Sequence, residues 1–177
     1  MPKDKVVVGI DIGSTKITTV IANIGENSQL NIIGVSSVPS KGLKKGQVVD
    51  IDESVSSITQ SIEAAERMAG YSVGAAFVSV DGVHIESQNS KGVVAVSNPE
   101  GEITQDDITR VIEAARAISL PSSKEILHVI PRFFTVDSQS GIKDPLGMNG
   151  VRLEVETHII TGATTALRNI AKCISQV

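Results

Sequence analysis

Close to its start the chain reads Gly9-Ile-Asp-Ile-Gly-Ser-Thr-Lys16, an acidic residue ending a β-branched run, then a turn of small residues, then a lysine entering the next run. Such a turn suits a polyphosphate. Gly13, Ser14 and Thr15 can present backbone N–H groups and hydroxyls with no bulky side chain in the way, and Lys16 can add a point charge. Mg²⁺ prefers oxygen ligands and keeps several of its waters, so Asp11 can hold the hydrated ion beside the phosphates. The same eight residues also read as an ordinary hairpin of strand, glycine turn and strand, and the octapeptide alone leaves both readings open. It is not a P-loop, because no helix follows the glycine.

Holding that turn requires a sheet, and the flanking pattern supplies one. Residues 6–12, 17–24 and 30–38 are β-branched runs separated by turn residues, and they predict three meandering strands. A loop follows over residues 39–46, with Gly42 and Gly46 punctuating it and Lys41, Lys44 and Lys45 giving it positive charge. Three lysines fall short of a lipid-binding polybasic cluster, so they read as a solvated loop. Val55, Ile58, Ile62, Ala65 and Ala69 then recur at helical spacing, with Asp50 and Asp52 as candidate N-caps and Gly70 as the stop. Residues 75–80 return as a strand.

From His84 the pattern begins again. Residues 84–97 predict one or two strands and Asn98 to Gly101 a turn. Thr104 with Asp107 resembles a capping box, with Ile103 and Ile108 placed as a hydrophobic staple, and Ile108, Val111, Ile112, Ala115 and Ile118 form the apolar stripe of the helix that follows. Strands are expected over 125–137 and 151–161, separated by a loop over 138–150. In that loop Pro145, Leu146 and Met148 either stand exposed as contact residues or fold back onto the local core. The last segment, 163–177, has Leu167, Ile170, Ala171, Ile174 and Val177 at helical spacing, with only Arg168 and Lys172 charged, which reads as a core helix and not a membrane-surface one.

Bulk properties exclude several classes. Aromatics are 2% of 177 residues against 41% hydrophobic content, so aliphatic side chains must fill the core, as in sheets covered by helices. A net charge of −4 with no basic stripe argues against nucleic acid. The apolar runs are far shorter than the roughly 20 residues of a spanning helix. No signal peptide opens the chain and the single cysteine, Cys173, cannot form an internal disulfide, so the cytoplasm is the expected compartment. In its apolar helical setting Cys173 reads as a buried, inert thiol. His84, His128 and His158 lack metal-ligand spacing and read as ordinary strand histidines.

Gly9 to Lys16 resembles the first phosphate motif shared by actin, sugar kinases and related chaperones. Four further stretches narrow the resemblance: Asn31-Ile-Ile-Gly-Val-Ser-Ser-Val-Pro-Ser-Lys-Gly-Leu-Lys-Lys-Gly-Gln-Val-Val-Asp50, Ala64-Ala-Glu-Arg-Met-Ala-Gly70, His128-Val-Ile-Pro131, and Gly141-Ile-Lys-Asp-Pro-Leu-Gly-Met-Asn-Gly-Val-Arg-Leu153. Together they resemble the bacterial cell-division family FtsA, across essentially the whole chain and in one order. The resemblance implies an α/β fold: an actin-like (ribonuclease H-like) mixed sheet with helices, plus an inserted α+β subdomain. It assigns residues 5–83 and 157–177 to the first actin-fold subdomain and 84–156 to the insertion, which is taken to set the family apart from its actin-fold relatives.

By the same resemblance Gly13, Ser14, Thr15 and Lys16 contact ATP, and Asp11 holds its Mg²⁺ through water. The family's second phosphate loop, adenosine-binding glycines and C-terminal membrane-targeting helix fall outside these 177 residues, so this chain carries half of the nucleotide site and is not expected to be catalytic alone. The implied role is an adaptor that links the FtsZ ring to the cytoplasmic face of the cell membrane at the division site, recruits later division proteins and self-associates into filaments. A stand-alone protein-interaction module without nucleotide function, and a pilus-assembly actin-like ATPase, are the alternatives.

Overall fold

The structure is a computed structural model that describes residues 5–25, 27–98 and 100–177; Glu26 of the turn after the second strand and Pro99 of the Asn98 to Gly101 turn lie outside the described residues. The chain divides into two compact units, Met1–His84 with Thr165–Val177, and Ile85–Thr164.

The first unit contains, in chain order, β1 (Lys5–Ile12), β2 (Lys16–Ile24), β3 (Leu30–Pro39), the short strands β4 (Leu43–Lys44) and β5 (Gln47–Val48), helix α1 (Ile51–Ala69) and β6 (Phe77–Ser79). The sheet order is β3-β2-β1-β6, with β1 antiparallel to β2 and parallel to β6. Alternation sorts the side chains. Val8, Ile10 and Ile12 on β1 and Ile17 and Ile21 on β2 are buried in one core with Ile58, Ile62 and Ala65 of α1. Of the two candidate caps, Asp50 is the one used: its side chain accepts from Glu53 N–H at 2.9 Å. Gly70 ends the helix in the left-handed conformation. The buried face of α1 is small as well as apolar, with Ser54, Ser57 and Ser61 on it, and this lets the helix lie against the sheet so closely that a Cβ on Gly34 of β3 would come within 2.5 Å of the Ala65 carbonyl. The last helix, α3 (Thr164–Ser175), adds Ile170 and Cys173 to this core.

The second unit is an α+β layer of β7 (Ile85–Ala95), α2 (Gln105–Arg116), β8 (Lys124–Val136), β9 (Gln139–Ile142) and β10 (Arg152–Ala163). Its sheet runs β7-β10-β8-β9, antiparallel throughout. It has a core of its own, in which Ile103, Ile108, Val111 and Ala115 meet Phe134, Val136, Leu153 and Val155. Ile118 lies past the end of α2 and is not part of the stripe. The expected loop over 138–150 contains β9, and within it Pro145 is buried and Met148 packs on the core, while Leu146 alone of the three stays exposed, at 53%. The second boundary between units also differs from the expected 156/157. β10 pairs with β7 as far as Gly162 and with β8 as far as Ala163, and Thr157 and Ile159 are fully buried, so a cut at 156 would divide one continuous strand.

Asp107 ties the start of α2 to the segment just after β7. The capping box is present: Thr104 Oγ accepts from Asp107 N–H, and the Asp107 carboxylate accepts from Thr104 N–H at 3.0 Å. It also accepts from Thr104 Oγ–H at 2.8 Å, from Ser97 N–H and Oγ–H at 3.1 and 2.8 Å, and from the Arg110 guanidinium. Burial alone would raise the pKa of this carboxyl, but the hydrogen bonds from Thr104, Arg110 and Ser97 outweigh it and hold the group well below the usual carboxylate range. A folded pKa below the unfolded one contributes stability that is present above the unfolded value of about 3.9 and is lost as the pH falls from there towards the folded value.

Two outcomes follow from this unit. Residues 85–164 expressed alone should give a dispersed amide spectrum and a cooperative urea transition, whereas residues 85–156 should not; equal folding of both would mean that the far half of β10 is dispensable. In the longer fragment, Asp107→Asn should cost about 2 kcal/mol at neutral pH and flatten the fall in urea midpoint below about pH 4. An acid limb as steep as that of the parent would show that another group carries it.

Candidate functional site

The β1–β2 turn closes with Gly13 N–H donating to the Lys16 carbonyl at 3.1 Å, which leaves Ser14 and Thr15 at the tip. A Cβ on Gly13 would sit 3.0 Å from that carbonyl, so glycine lets the turn close this tightly. The sequence suggested Gly13 as one of the backbone donors. Its N–H is instead committed within the turn, and Gly13 contributes shape. Among the described residues no hydrogen bond uses the N–H of Ser14 or Thr15, and Ser14, Thr15 and Lys16 are all exposed. Two free amides and two hydroxyls beside an ammonium group form a concentrated donor set for an anion.

Asp11 lies one position before the end of β1, in register with Thr18 of β2 and Ser79 of β6. Ser79 Oγ–H donates to Asp11 Oδ1 at 2.5 Å. The carboxylate is exposed and its other oxygen has no hydrogen-bond partner among the described residues. Those residues contain no group of three or more His, Cys, Asp or Glu able to enclose a metal. A single carboxylate beside an anion site fits a cation that keeps most of its water, which is the habit of Mg²⁺ and not of Zn²⁺. Asp11 and Ser79 share an open concavity of about 480 Å³ with Gly9, Thr18, Val20 and Phe77.

The structure adds two groups that sequence reasoning missed. One is Ser79, the partner of Asp11. The other is the β4–β5 hairpin, whose two turn residues Lys45 and Gly46 have φ of 52° and 75°, as a tight two-residue turn requires. Gly46 N–H donates to Ser14 Oγ at 2.8 Å, Ser40 N–H donates to the Thr15 carbonyl at 3.0 Å, and Val83 N–H donates to the Lys45 carbonyl at 3.3 Å. Ser14, Lys45, Gly46, Asp81, Gly82 and Val83 line a second open concavity of about 520 Å³. The available signal was the Lys45-Gly46 pair between two extended dipeptides, which is hairpin spacing.

The remaining candidates stay out of the site. His128 is exposed, His158 Nδ1 pairs with Asn89 Oδ1 at 2.9 Å, and His84 is buried with neither ring nitrogen hydrogen-bonded among the described residues. Cys173 is 1% exposed and burial pushes its thiol pKa up, away from the reactive thiolate. No described helix is long and apolar enough to cross a membrane.

Residues 82–161 match the family described as the SHS2 domain inserted in FTSA. The cell division protein FtsA of Bacillus subtilis is 46% identical over 176 residues, covering 99% of this chain and 40% of that protein. FtsA of Borreliella burgdorferi is 45% identical over 170 residues, covering 96% of this chain and 41% of that protein. This chain therefore spans about two fifths of the length of the relatives it matches. Among solved structures, a chain of the PilM-PilN type IV pilus biogenesis complex matches with a TM-score of 0.62 at 14% identity, covering 96% of this chain and 44% of that one. Because that match runs through the second unit as well, the insertion does not by itself separate the two families; the sequence does.

The fold is actin-like, a mixed sheet with a tight glycine turn between the first two strands and an α+β domain inserted after the fourth main strand. Within that class, the chain is similar over nearly its whole length to cell division proteins FtsA, and its residues 82–161 match the SHS2 domain inserted in FTSA.

Proposed function

We propose that the first unit supplies the phosphate-binding half of an ATP site, with Ser14, Thr15 and Lys16 holding the phosphates, Gly13 shaping the turn and Asp11 holding Mg²⁺ through its waters. The observation that carries this reading is the pair of uncommitted N–H groups at Ser14 and Thr15 beside the exposed Lys16, on the turn that begins two residues after Asp11. Bound Mg-ATP would supply a polyanion that favours one arrangement of the groups around it; the chain's own part is to bind and orient. None of these groups is assigned a catalytic step.

In the whole protein the nucleotide site serves, in this reading, an adaptor that joins the FtsZ ring to the cytoplasmic face of the membrane, recruits later division proteins and self-associates into filaments. Similarity to the cell division proteins FtsA supports that role, and the separate core of Ile85–Thr164 supports a second unit that acts as an interaction surface in its own right. The identities of 45 and 46% to division proteins, against 14% to the pilus chain, favour division over pilus assembly.

A turn that is open to solvent binds weakly, so the chain alone should bind Mg-ATP with a Kd of about 1 mM or weaker. Amide shifts of the isotope-labelled chain read this directly. Mg-ATP should move the signals of residues 13–16, and Lys16→Ala should weaken the response several-fold. A Kd in the micromolar range that is lost in Asp11→Ala would mean that this half-site suffices for binding, and a response that survives both Lys16→Ala and Asp11→Ala would mean that the phosphates sit elsewhere.

A further inference from the structure

We propose that the Lys45–Gly46 turn is a positioning element of the phosphate turn, which fixes the Ser14 hydroxyl as a hydrogen-bond donor towards the bound anion; this rests on the nucleotide reading of Gly13 to Lys16. A serine hydroxyl has one proton and two lone pairs. Gly46 N–H occupies one lone pair of Ser14 Oγ at 2.8 Å, and among the described residues no acceptor takes the Ser14 proton. The hydroxyl proton is repelled by the amide proton of Gly46, so it turns away from the hairpin. Ser14 is exposed, and the direction left to that proton is solvent, where a phosphate oxygen would lie.

The donor that does this is held from several sides. Gly46 is buried, and a Cβ there would come within 2.1 Å of the Asp81 carbonyl and 2.6 Å of Gly82 Cα. Val83 N–H donates to the neighbouring Lys45 carbonyl. At the base of the hairpin the Gly42 carbonyl accepts from Val49 and Asp50 N–H at 2.8 and 3.1 Å, and Asp50 is the N-cap of α1. Lys41 N–H donates to Ser57 Oγ of the same helix at 3.2 Å. The hairpin is thus built onto the start of α1 and the 81–83 turn, and it brings a rigid N–H to Ser14. Preorganised donors of this kind need little rearrangement when a charge arrives. Lys45 is exposed on the same concavity as Ser14, which adds a positive charge on the hairpin side of the turn.

Amide exchange and shift mapping test the contact with and without nucleotide. In the free chain Gly46 N–H should exchange slowly, about tenfold faster in Ser14→Ala, the factor one net hydrogen bond is worth, and slowly again in Ser14→Thr, which restores the hydroxyl. Ser14 is an exposed turn residue, so both variants keep the fold, and unchanged exchange at Val83 and Asp50 checks this. On adding Mg-ATP, the Gly46 amide should shift together with residues 13–16, and stay still in Ser14→Ala. Equal exchange of Gly46 in the parent and Ser14→Ala overturns the proposal, as does a Gly46 signal that stays still while residues 13–16 move. If residues 13–16 themselves do not move, the nucleotide reading fails, and the exchange comparison alone then decides whether the hairpin positions Ser14.

Discussion

At Gly46 the backbone passes so close to the Asp81 carbonyl that a Cβ would lie 2.1 Å from it, and the arrangement of the candidate site depends on that approach. No side chain larger than hydrogen is compatible with it, and a φ of 75° at the same residue adds a second demand for glycine. Because Gly46 fits there, three separate turns meet. The β1–β2 turn brings Ser14, the β4–β5 hairpin brings the Gly46 N–H, and the segment after β6 brings Asp81 to Val83. Each turn alone is a short solvent-exposed connection of the kind that moves readily. Joined, they place a hydroxyl, two free amides and two lysines around one end of a sheet.

Close backbone approach recurs where the helices dock. α1 reaches β3 at Gly34, and α2 reaches β7 at Gly92, where a Cβ would meet the Val111 carbonyl at 2.2 Å. With 2% aromatic residues the chain has few large side chains to fill wide gaps between layers, so density is achieved by bringing the layers together. The first unit does this with serines on the inner face of α1, and their hydroxyls are satisfied, for instance Ser61 Oγ with Thr19 Oγ1 at 2.8 Å. In the second unit the buried Asp107 carboxylate accepts five hydrogen bonds, from the Thr104 cap, from Arg110 and from Ser97 just after β7, and so joins the helix start to the preceding segment. Each unit has its own polar and apolar interior, which suits an insertion that folds around its own core.

What could be read from the sequence was what is local. Alternation in β1 and β2, the Thr104 and Asp107 cap and the Gly70 stop all depend on neighbours within a few residues, and so does the Gly9 to Lys16 turn. The groups that complete the site are distant: Ser79 lies 68 positions from Asp11, and Gly46 lies 32 from Ser14. No periodicity marks such pairs. β4, β5 and β9 are two to four residues long and rich in Gly, Lys and Gln, too short for a pattern to form. The 156/157 boundary came from a family resemblance, although the buried and half-buried alternation of β10 runs from Leu153 to Ile160 without a break. The commitment of the Gly13 N–H was hidden for a related reason: residue type shows that a glycine can approach a phosphate, but only the closed turn shows this N–H bonded to the Lys16 carbonyl.

In the proposed site a metal-bound polyphosphate sits at the turn after β1, with the metal on the Asp11 side. Paramagnetic Mn²⁺ in place of Mg²⁺ reports that location most directly, because it broadens amide signals according to distance. With Mn-ATP, broadening should be selective for residues 11–16 and for Gly46 and Ser79, abolished by excess Mg-ATP and absent in Asp11→Ala. Broadening centred instead on the exposed carboxylates of α1, or the same pattern with Mn²⁺ whether or not ATP is present, would contradict it.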